Sequence, residues 1–236
     1  MKKDVPYVRH VVGLSVKEII MVDYDWALRT AHKLMNSDSV IFDTETTGLR
    51  VESSADHPGS EIIELAVMNT SGVEMIETLV YPTQPPDQGT MEFVHLDVGE
   101  LFDAPTFDRI YPYVNRVLLD AEHVIAYNVS FDAAVLRNTY RIYKYPTIPL
   151  MLDWKYYTQY KYPSQDTPIK WNCAMLLYSA YKGILNDWGS YKWYKLEEAA
   201  EEFGCNHTPH RAMDDVRMVY CILESMSELA ERRKLV

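Results

Sequence analysis

The order of apolar and polar positions divides the 236-residue chain into short β-prone runs followed by longer helical stretches. Ser15 and Glu18 have capping-box spacing. Ile19, Ile20, Val22, Trp26, Ala27, Ala31 and Leu34 then recur at roughly the period of one helical face. This predicts a helix that stops at the turn-forming Asn36-Ser37-Asp38-Ser39. Val40-Ile41-Phe42-Asp43 is β-prone, as are Glu61 to Met68 and, after the Ser71-Gly72 turn, Glu74 to Tyr81. The front of the domain therefore reads as a three-stranded meander. Val51 to Ser60 is polar, with Pro58 and Gly59, and Pro82 to Gly89 is rich in proline; both read as loops. Phe107 to Leu119 predicts a helix. A second apolar run, Val124-Ile125-Ala126-Tyr127, leads through Asn128 into a helix from about Phe131 to Tyr140. Further helices are predicted from about Ala174 to Lys182, from Lys195 to Phe203 with Gly204 as its C′ residue, and from about Arg211 towards Arg232. Strands first, then mixed strands and helices, point to an α/β or α+β domain covered by helices.

Composition narrows this only in part. Hydrophobic residues make up 47% of the chain, which supports an ordinary core and excludes wholesale disorder. No apolar stretch approaches the ~20 residues of a membrane helix, so no membrane association is expected. Asp4, Pro6, Arg9 and His10 interrupt the start of the chain and no small-residue cleavage site follows, which argues against a signal peptide. Cys173, Cys205 and Cys221 are odd in number and widely spaced. That pattern argues against a disulfide framework or a zinc knuckle, and predicts reduced thiols in a cytoplasmic protein. The net charge of −11 excludes a protein that holds nucleic acid by bulk positive charge. The acidity either keeps the chain soluble or is neutralised in part by divalent metal.

Three segments carry candidate chemistry. In Asp43-Thr44-Glu45-Thr46-Thr47-Gly48-Leu49, Asp43 and Glu45 lie two apart at the end of an apolar run, so in a strand they face the same side. Like charges so placed raise each other's pKa unless a cation lies between them, and carboxylate oxygens are what Mg²⁺ and Mn²⁺ prefer. Taken alone, such a pair is more often two solvated carboxylates at a strand end. In Asn128-Val129-Ser130-Phe131-Asp132, Asp132 reads by itself as a first-turn residue that complements a helix dipole. In His210-Arg211-Ala212-Met213-Asp214-Asp215, a histidine at a helix start can cap or act as a general base, and a carboxylate one turn on can ligate metal; alone, the segment reads as surface decoration.

In this order, the three segments resemble the DEDDh branch of the DnaQ-like 3′–5′ exonucleases, within the ribonuclease H-like superfamily. The family's D-x-E-T-T-G-L matches Val40 to Leu49, its N-x-x-F-D matches Asn128 to Asp132, and its H-x-A-x-x-D matches His210, Ala212 and Asp215. Tyr127 stands where many members have histidine. The resemblance spans about Asp38 to Leu223. It implies an α/β domain with a central mixed five-stranded sheet flanked by helices, over residues 38–236 and preceded by a helical extension, 1–37. It implies two Mg²⁺ or Mn²⁺ ions, with Asp43 bridging both, Glu45 and Asp215 completing the site that activates water, and Asp132 helping to hold the second ion. His210 would be the general base, and the two ions would lie close enough that Asp132 should fall within ~10 Å of Asp43. Thr46, Thr47, Gly48, Leu49, Asn128 and Phe131 would line the cleft for the terminal nucleotide. The third motif's spacing selects Asp215 rather than Asp214 as the ligand.

The implied activity is hydrolysis of phosphodiester bonds from the 3′ end of nucleic acid, with single-stranded DNA ends favoured, releasing nucleoside 5′-monophosphates. A polymerase or other replication or repair partner fits the same kinship. The alternatives are RNA trimming on the same fold, and a non-catalytic module recruited to a polymerase complex. The family does not explain a Tyr/Trp-rich insertion at about 143–194. Its aromatics, among them Trp154, Tyr156, Tyr157, Tyr160, Tyr162, Trp171, Trp188, Tyr191, Trp193 and Tyr194, either stack on unpaired bases or pack a cover on the sheet. Asp153 reads as structural.

Overall fold

The computed structural model describes residues 16–50, 59–86, 88–146, 170–205 and 207–236. Five strands form one sheet in the order β3-β2-β1-β4-β5. They are β1 (Ser39–Thr46), β2 (Ile62–Asn69), β3 (Glu74–Leu79), β4 (His123–Ala126) and β5 (Lys170–Cys173). The first three form the predicted antiparallel meander, and β4 and β5 run parallel to β1. This is the mixed, helix-flanked α/β sheet expected from the sequence.

Both faces of the sheet are covered, which is why its central strands read as near-continuous apolar runs. On one face Val40, Phe42, Leu65, Val67 and Val124 pack against α4 (Phe107–Asp120) and α5 (Val129–Ile142). On the other, Ile41, Ala66, Met68 and Ile125 pack against α1 (Val16–Met35), α6 (Ala174–Lys182), α7 (Leu196–Phe203) and α8 (Ala212–Arg232). Ala27, Leu28, Ala31 and Leu34 of α1 belong to that second core, so the N-terminal helix is part of the packed body. The proposed Ser15 cap lies outside the described residues. No helix among the described residues is long and apolar enough to cross a membrane.

The structure adds elements that periodicity did not reveal. Two short helices, α2 (Gln88–Phe93) and α3 (Val98–Leu101), occupy the connection after β3, and Asp97 and Glu100 close a capping box on α3. Strand β5 has four residues, too few for a period, and exists through its pairing with β4. Of the segment expected as an insertion, residues 147–169 lie outside the described residues, with Asp153, Trp154, Tyr156, Tyr157, Tyr160 and Tyr162 among them. Residues 170–182 supply β5 and α6. There the aromatics divide. Trp171 sets its edge on Phe42, and Tyr178 and Tyr191 are buried, whereas Trp188 and Trp193 are exposed.

The expectation of reduced thiols needs correction. Cys205 and Cys221 form a disulfide, and Cys173 is the free cysteine among the described residues. Spacing along the chain could not foresee the pair. Gly204 turns the end of α7 through a left-handed backbone, the chain returns to the start of α7, where His210 meets Glu197, and α8 then runs beside α7 in the same direction, bringing the two sulfurs together.

The fully buried Leu28 tests the place of α1 in the core. Leu28→Ala should lower unfolding stability by about 2–5 kcal/mol, the cost of a cavity in a closed core. The exposed Lys33→Ala should change it by less than about 0.5 kcal/mol. Urea unfolding of both variants measures the difference; equal stabilities would mean that α1 only drapes over the surface.

Candidate active site

The site lies at the carboxyl ends of the parallel strands β1 and β4, where such sheets open a crevice. In β1, Ile41 faces the core under α8, so with a period of two Asp43 and Glu45 point the same way. Asp215, in the first turn of α8, meets them from above. Carboxylate oxygens of Asp43, Glu45 and Asp215 all lie within 4.8 Å of one another, and all three residues are half-buried.

Asp132 enters from the first turn of α5 and is buried. Its Oδ1 accepts hydrogen bonds from the Thr44 backbone N–H (3.2 Å) and the Thr44 hydroxyl (3.0 Å). Thr44 follows Asp43 directly in the chain, so Asp132 is well inside the ~10 Å that a two-ion site allows.

His210 precedes α8 in a left-handed backbone conformation (φ 67°), uncommon outside glycine. Its N–H donates to Asp215 Oδ1 (3.1 Å), which ties the histidine to the carboxylate five residues on. The imidazole packs on Phe93 of α2, with ring centroids 4.0 Å apart, and Nε2 lies 3.6 Å from Glu197 Oε1. Asp214 is directed elsewhere: its Oδ1 accepts from Arg217 Nη1 (2.8 Å), and Arg217 also reaches Glu74.

The turn after β1 is tied to the start of β2. Thr46 Oγ1 donates to the Gly48 carbonyl (2.6 Å), the Thr47 N–H donates to the Glu61 carbonyl (2.9 Å), and the Glu61 N–H donates to Thr47 Oγ1 (3.1 Å). These bonds leave Leu49 82% exposed at the rim. Asn128 is exposed at the start of α5, its Oδ1 accepting from Ser130 Oγ (2.9 Å). Phe131 packs against the core on the α4 side.

Burial, the largest cause in each case, raises the pKa of Asp43, Glu45, Asp132 and Asp215. Burial lifts Asp43 well above the usual carboxylate range, with Asp132, Asp215, Glu45 and Glu64 adding to the rise. Glu45 is pushed up to about 8 by burial, then by Asp215, Glu64 and Asp132, against the opposing charge of Arg211. Burial pushes Asp132 to about 7 despite the Thr44 hydrogen bonds, and Asp215 to about 7 despite the His210 N–H. A cluster that resists ionisation on its own and presents its oxygens to one point suits a divalent cation, which favours carboxylate oxygens and would supply the missing positive charge.

Sequence reasoning missed several residues around this group: Thr44, Phe93, Glu197, and the pair Glu64–Arg211. Only Glu64 left a signal, as the lone charge within the apolar run Ile62 to Val67.

Comparison with known proteins gives a concordant result. The family model described as Exonuclease (RNase T) matches residues 40–223. An uncharacterized exonuclease of Escherichia phage 186 is 31% identical over 202 residues, covering 84% of this chain and 92% of the phage protein. A DNA polymerase III subunit epsilon of Treponema pallidum (strain Nichols) is 24% identical over 209 residues, covering 86% of this chain and 81% of its own. Among solved structures, the zinc-bound complex of E. coli ExoI with single-stranded DNA superposes with a TM-score of 0.58 at 17% identity. That likeness covers 83% of this chain and 41% of the ExoI chain, and it is a likeness of fold.

The raised carboxyl groups make a pH prediction for the cation-free protein. Glu45, Asp132 and Asp215 hold protons more tightly when folded, at about 8, 7 and 7, than an exposed carboxyl near ~4 does. Folding therefore takes up protons, and stability falls as pH rises from about 4.5 through about 8. In EDTA the melting temperature should drop between pH 5 and pH 8, and Glu45→Gln should flatten the drop. A melting temperature that climbs with pH over this range in the unsubstituted chain would contradict the electrostatics described here.

Proposed function

This chain belongs to the exonuclease family, and from that premise we propose that it hydrolyses phosphodiester bonds one nucleotide at a time from the 3′ end of single-stranded DNA, releasing nucleoside 5′-monophosphates. The observation that carries the proposal is the meeting of Asp43, Glu45 and Asp215 within 4.8 Å, from a strand and a helix about 170 residues apart. A stray acidic patch would not be assembled from such distant segments around a single point.

Asp43, Glu45 and Asp215 would hold divalent cations, with Asp132 completing the set beside Asp43. Two Mg²⁺ or Mn²⁺ ions bound there supply Lewis-acid stabilisation to the attacking and leaving oxygens of an in-line displacement. His210 takes the proton of the attacking water on its imidazole, the role for which a histidine near neutrality is suited. Phe93 fixes the plane of that ring, and Glu197 stabilises the imidazolium once it forms. The exposed Leu49 packs on the terminal base, and the turn at Thr46, Thr47 and Gly48 approaches the sugar with its backbone. Asn128 and Phe131 border the same cleft at the start of α5.

With a net charge of −11, long duplex is a poor ligand, and a single 3′ end gripped at the carboxylate cleft is a better one. Kinship with a polymerase III epsilon subunit supports a replication or repair partner.

The reading has direct tests. Oligonucleotides of matched sequence, in DNA and RNA and labelled at either end, should be shortened from the 3′ end, with DNA faster. EDTA should stop the reaction and Mg²⁺ or Mn²⁺ restore it. Asp43→Asn should lose far more than tenfold, since a tenfold loss is only ~1.4 kcal/mol of barrier. A variant that keeps a tenth of the rate would exclude the role assigned to Asp43, and an inert unsubstituted chain would favour a binding module.

The two adjacent aspartates should separate cleanly. Asp215→Asn should cost ~10²-fold or more, about 3 kcal/mol of transition-state stabilisation. Asp214→Asn removes the same charge from a partly exposed ion pair and should stay within a few-fold of the unsubstituted chain. If the Asp214 variant is the dead one, the third motif is misassigned by one residue.

A further inference from the structure

Glu64 sits within β2 with its side chain 3% exposed, the one charge in the buried run Ile62 to Met68. In the antiparallel ladder it lies directly opposite Glu45. Two carboxylates facing each other across a buried ladder repel, and an unpaired buried charge costs several kcal/mol. The fold answers with Arg211. Its Nε lies 3.1 Å from both Glu64 oxygens and its Nη2 lies 2.9 Å from Oε1, the forked arrangement that only a guanidinium makes.

Glu64 does more than accept this charge. Arg211 is the N-cap residue of α8 and makes no side-chain capping bond to its own helix. The Ala212 N–H, among the first of that helix, donates instead to Glu64 Oε2 (3.3 Å). A strand carboxylate thus caps α8 from outside the sequence, where negative charge also suits the helix dipole. His210 lies one residue before this anchor and Asp215 four residues after it, and the two are joined by the His210 N–H to Asp215 hydrogen bond.

We infer that Glu64 and Arg211 form a positioning pair that fixes the start of α8 on the sheet, so that His210 and Asp215 meet Asp43 and Glu45 in register. The pair also occupies Glu64 with an internal cation, which leaves Glu45 as the outward ligand. The inference rests on the catalytic reading above. Neither residue touches the reacting atoms.

The test compares Glu64→Gln, Arg211→Gln, the double variant and Arg211→Lys with the unsubstituted chain and with Asp43→Asn. Mn²⁺ affinity is measured by calorimetry, and kcat and KM on a single-stranded oligonucleotide are taken well below the melting temperature of each. Each Gln variant should lose about 10–100-fold in Mn²⁺ affinity and in kcat, the range for supports behind metal ligands, with KM little changed. The double variant should be no worse than the poorer single one, because the pair acts as a unit. Arg211→Lys keeps the charge and loses the fork, so it should share the defect, and it carries the test if a Gln variant does not fold. Native Mn²⁺ affinity and kcat in folded Glu64→Gln, or full rescue by Arg211→Lys, would overturn the inference while leaving the catalytic reading intact. If the unsubstituted chain and Asp43→Asn bind Mn²⁺ alike, the catalytic reading itself fails, and this inference falls with it.

Discussion

Carboxylates do not gather in a protein interior unless something compensates their repulsion, and the architecture of this chain can be read from that constraint. Burial and neighbouring carboxylates raise the proton affinity of Asp43, Glu45 and Asp215, burial raises that of Asp132, and Glu64 stands behind Glu45 on the next strand. Three kinds of compensation are visible. Asp132 is held by the Thr44 hydroxyl and amide, Asp215 by the His210 amide, and Glu64 by the Arg211 fork. Asp43 and Glu45 accept none of these hydrogen bonds and face the crevice; Arg211 offsets only part of the charge around Glu45, and an external cation would supply the rest. The full neutralisation of Glu64 divides it, as scaffold, from the four carboxylates to which the chemistry is assigned.

The sheet makes that division possible. Strand β1 is flanked by an antiparallel neighbour on one side and a parallel one on the other, so it presents residues to both helical layers at its carboxyl end. Its even positions enter the core beneath α4 and α5, and Thr44 on that side meets Asp132 of α5. Its odd positions face α8, and Asp43 and Glu45 on that side meet Asp215. One short strand thus gathers carboxylates from two helices that lie far from it in the sequence. Pinning α8 through Glu64 uses the strand next door for the same purpose.

Much of this was legible in the sequence, for identifiable reasons. The period of two around Asp43 and Glu45 gave their common direction, and apolar runs bounded by turns gave the meander and the longer helices. What was hidden depended on contacts between segments far apart in the chain. Lys170 to Cys173 becomes a strand only beside β4, and Cys205 meets Cys221 only because α8 packs alongside α7. Phe93 reaches His210 from a six-residue helix too short to show amphipathic spacing. Glu64 was the informative omission. A single acid in the run Ile62 to Val67 demands a buried partner, and that demand could have been stated before Arg211 was known to answer it.

The ladder of β1 with β2 keeps strict register from Val40 to Glu45 and then shifts between Glu45 and Thr46. A bulge there lets the chain leave the sheet and turn through Thr47 and Gly48 without disturbing the residues before it. Upstream, the strand behaves as a ruler graduated in steps of two. One residue gained or lost between Val40 and Asp43 would swing Asp43 and Glu45 towards the apolar layer of Phe42 and Val67 and turn Thr44 to the crevice. Downstream of the bulge no such parity applies. The chain after Gly48 can therefore change in length without disturbing the direction of Asp43 and Glu45, whereas the spacing before Glu45 has to be kept to the residue.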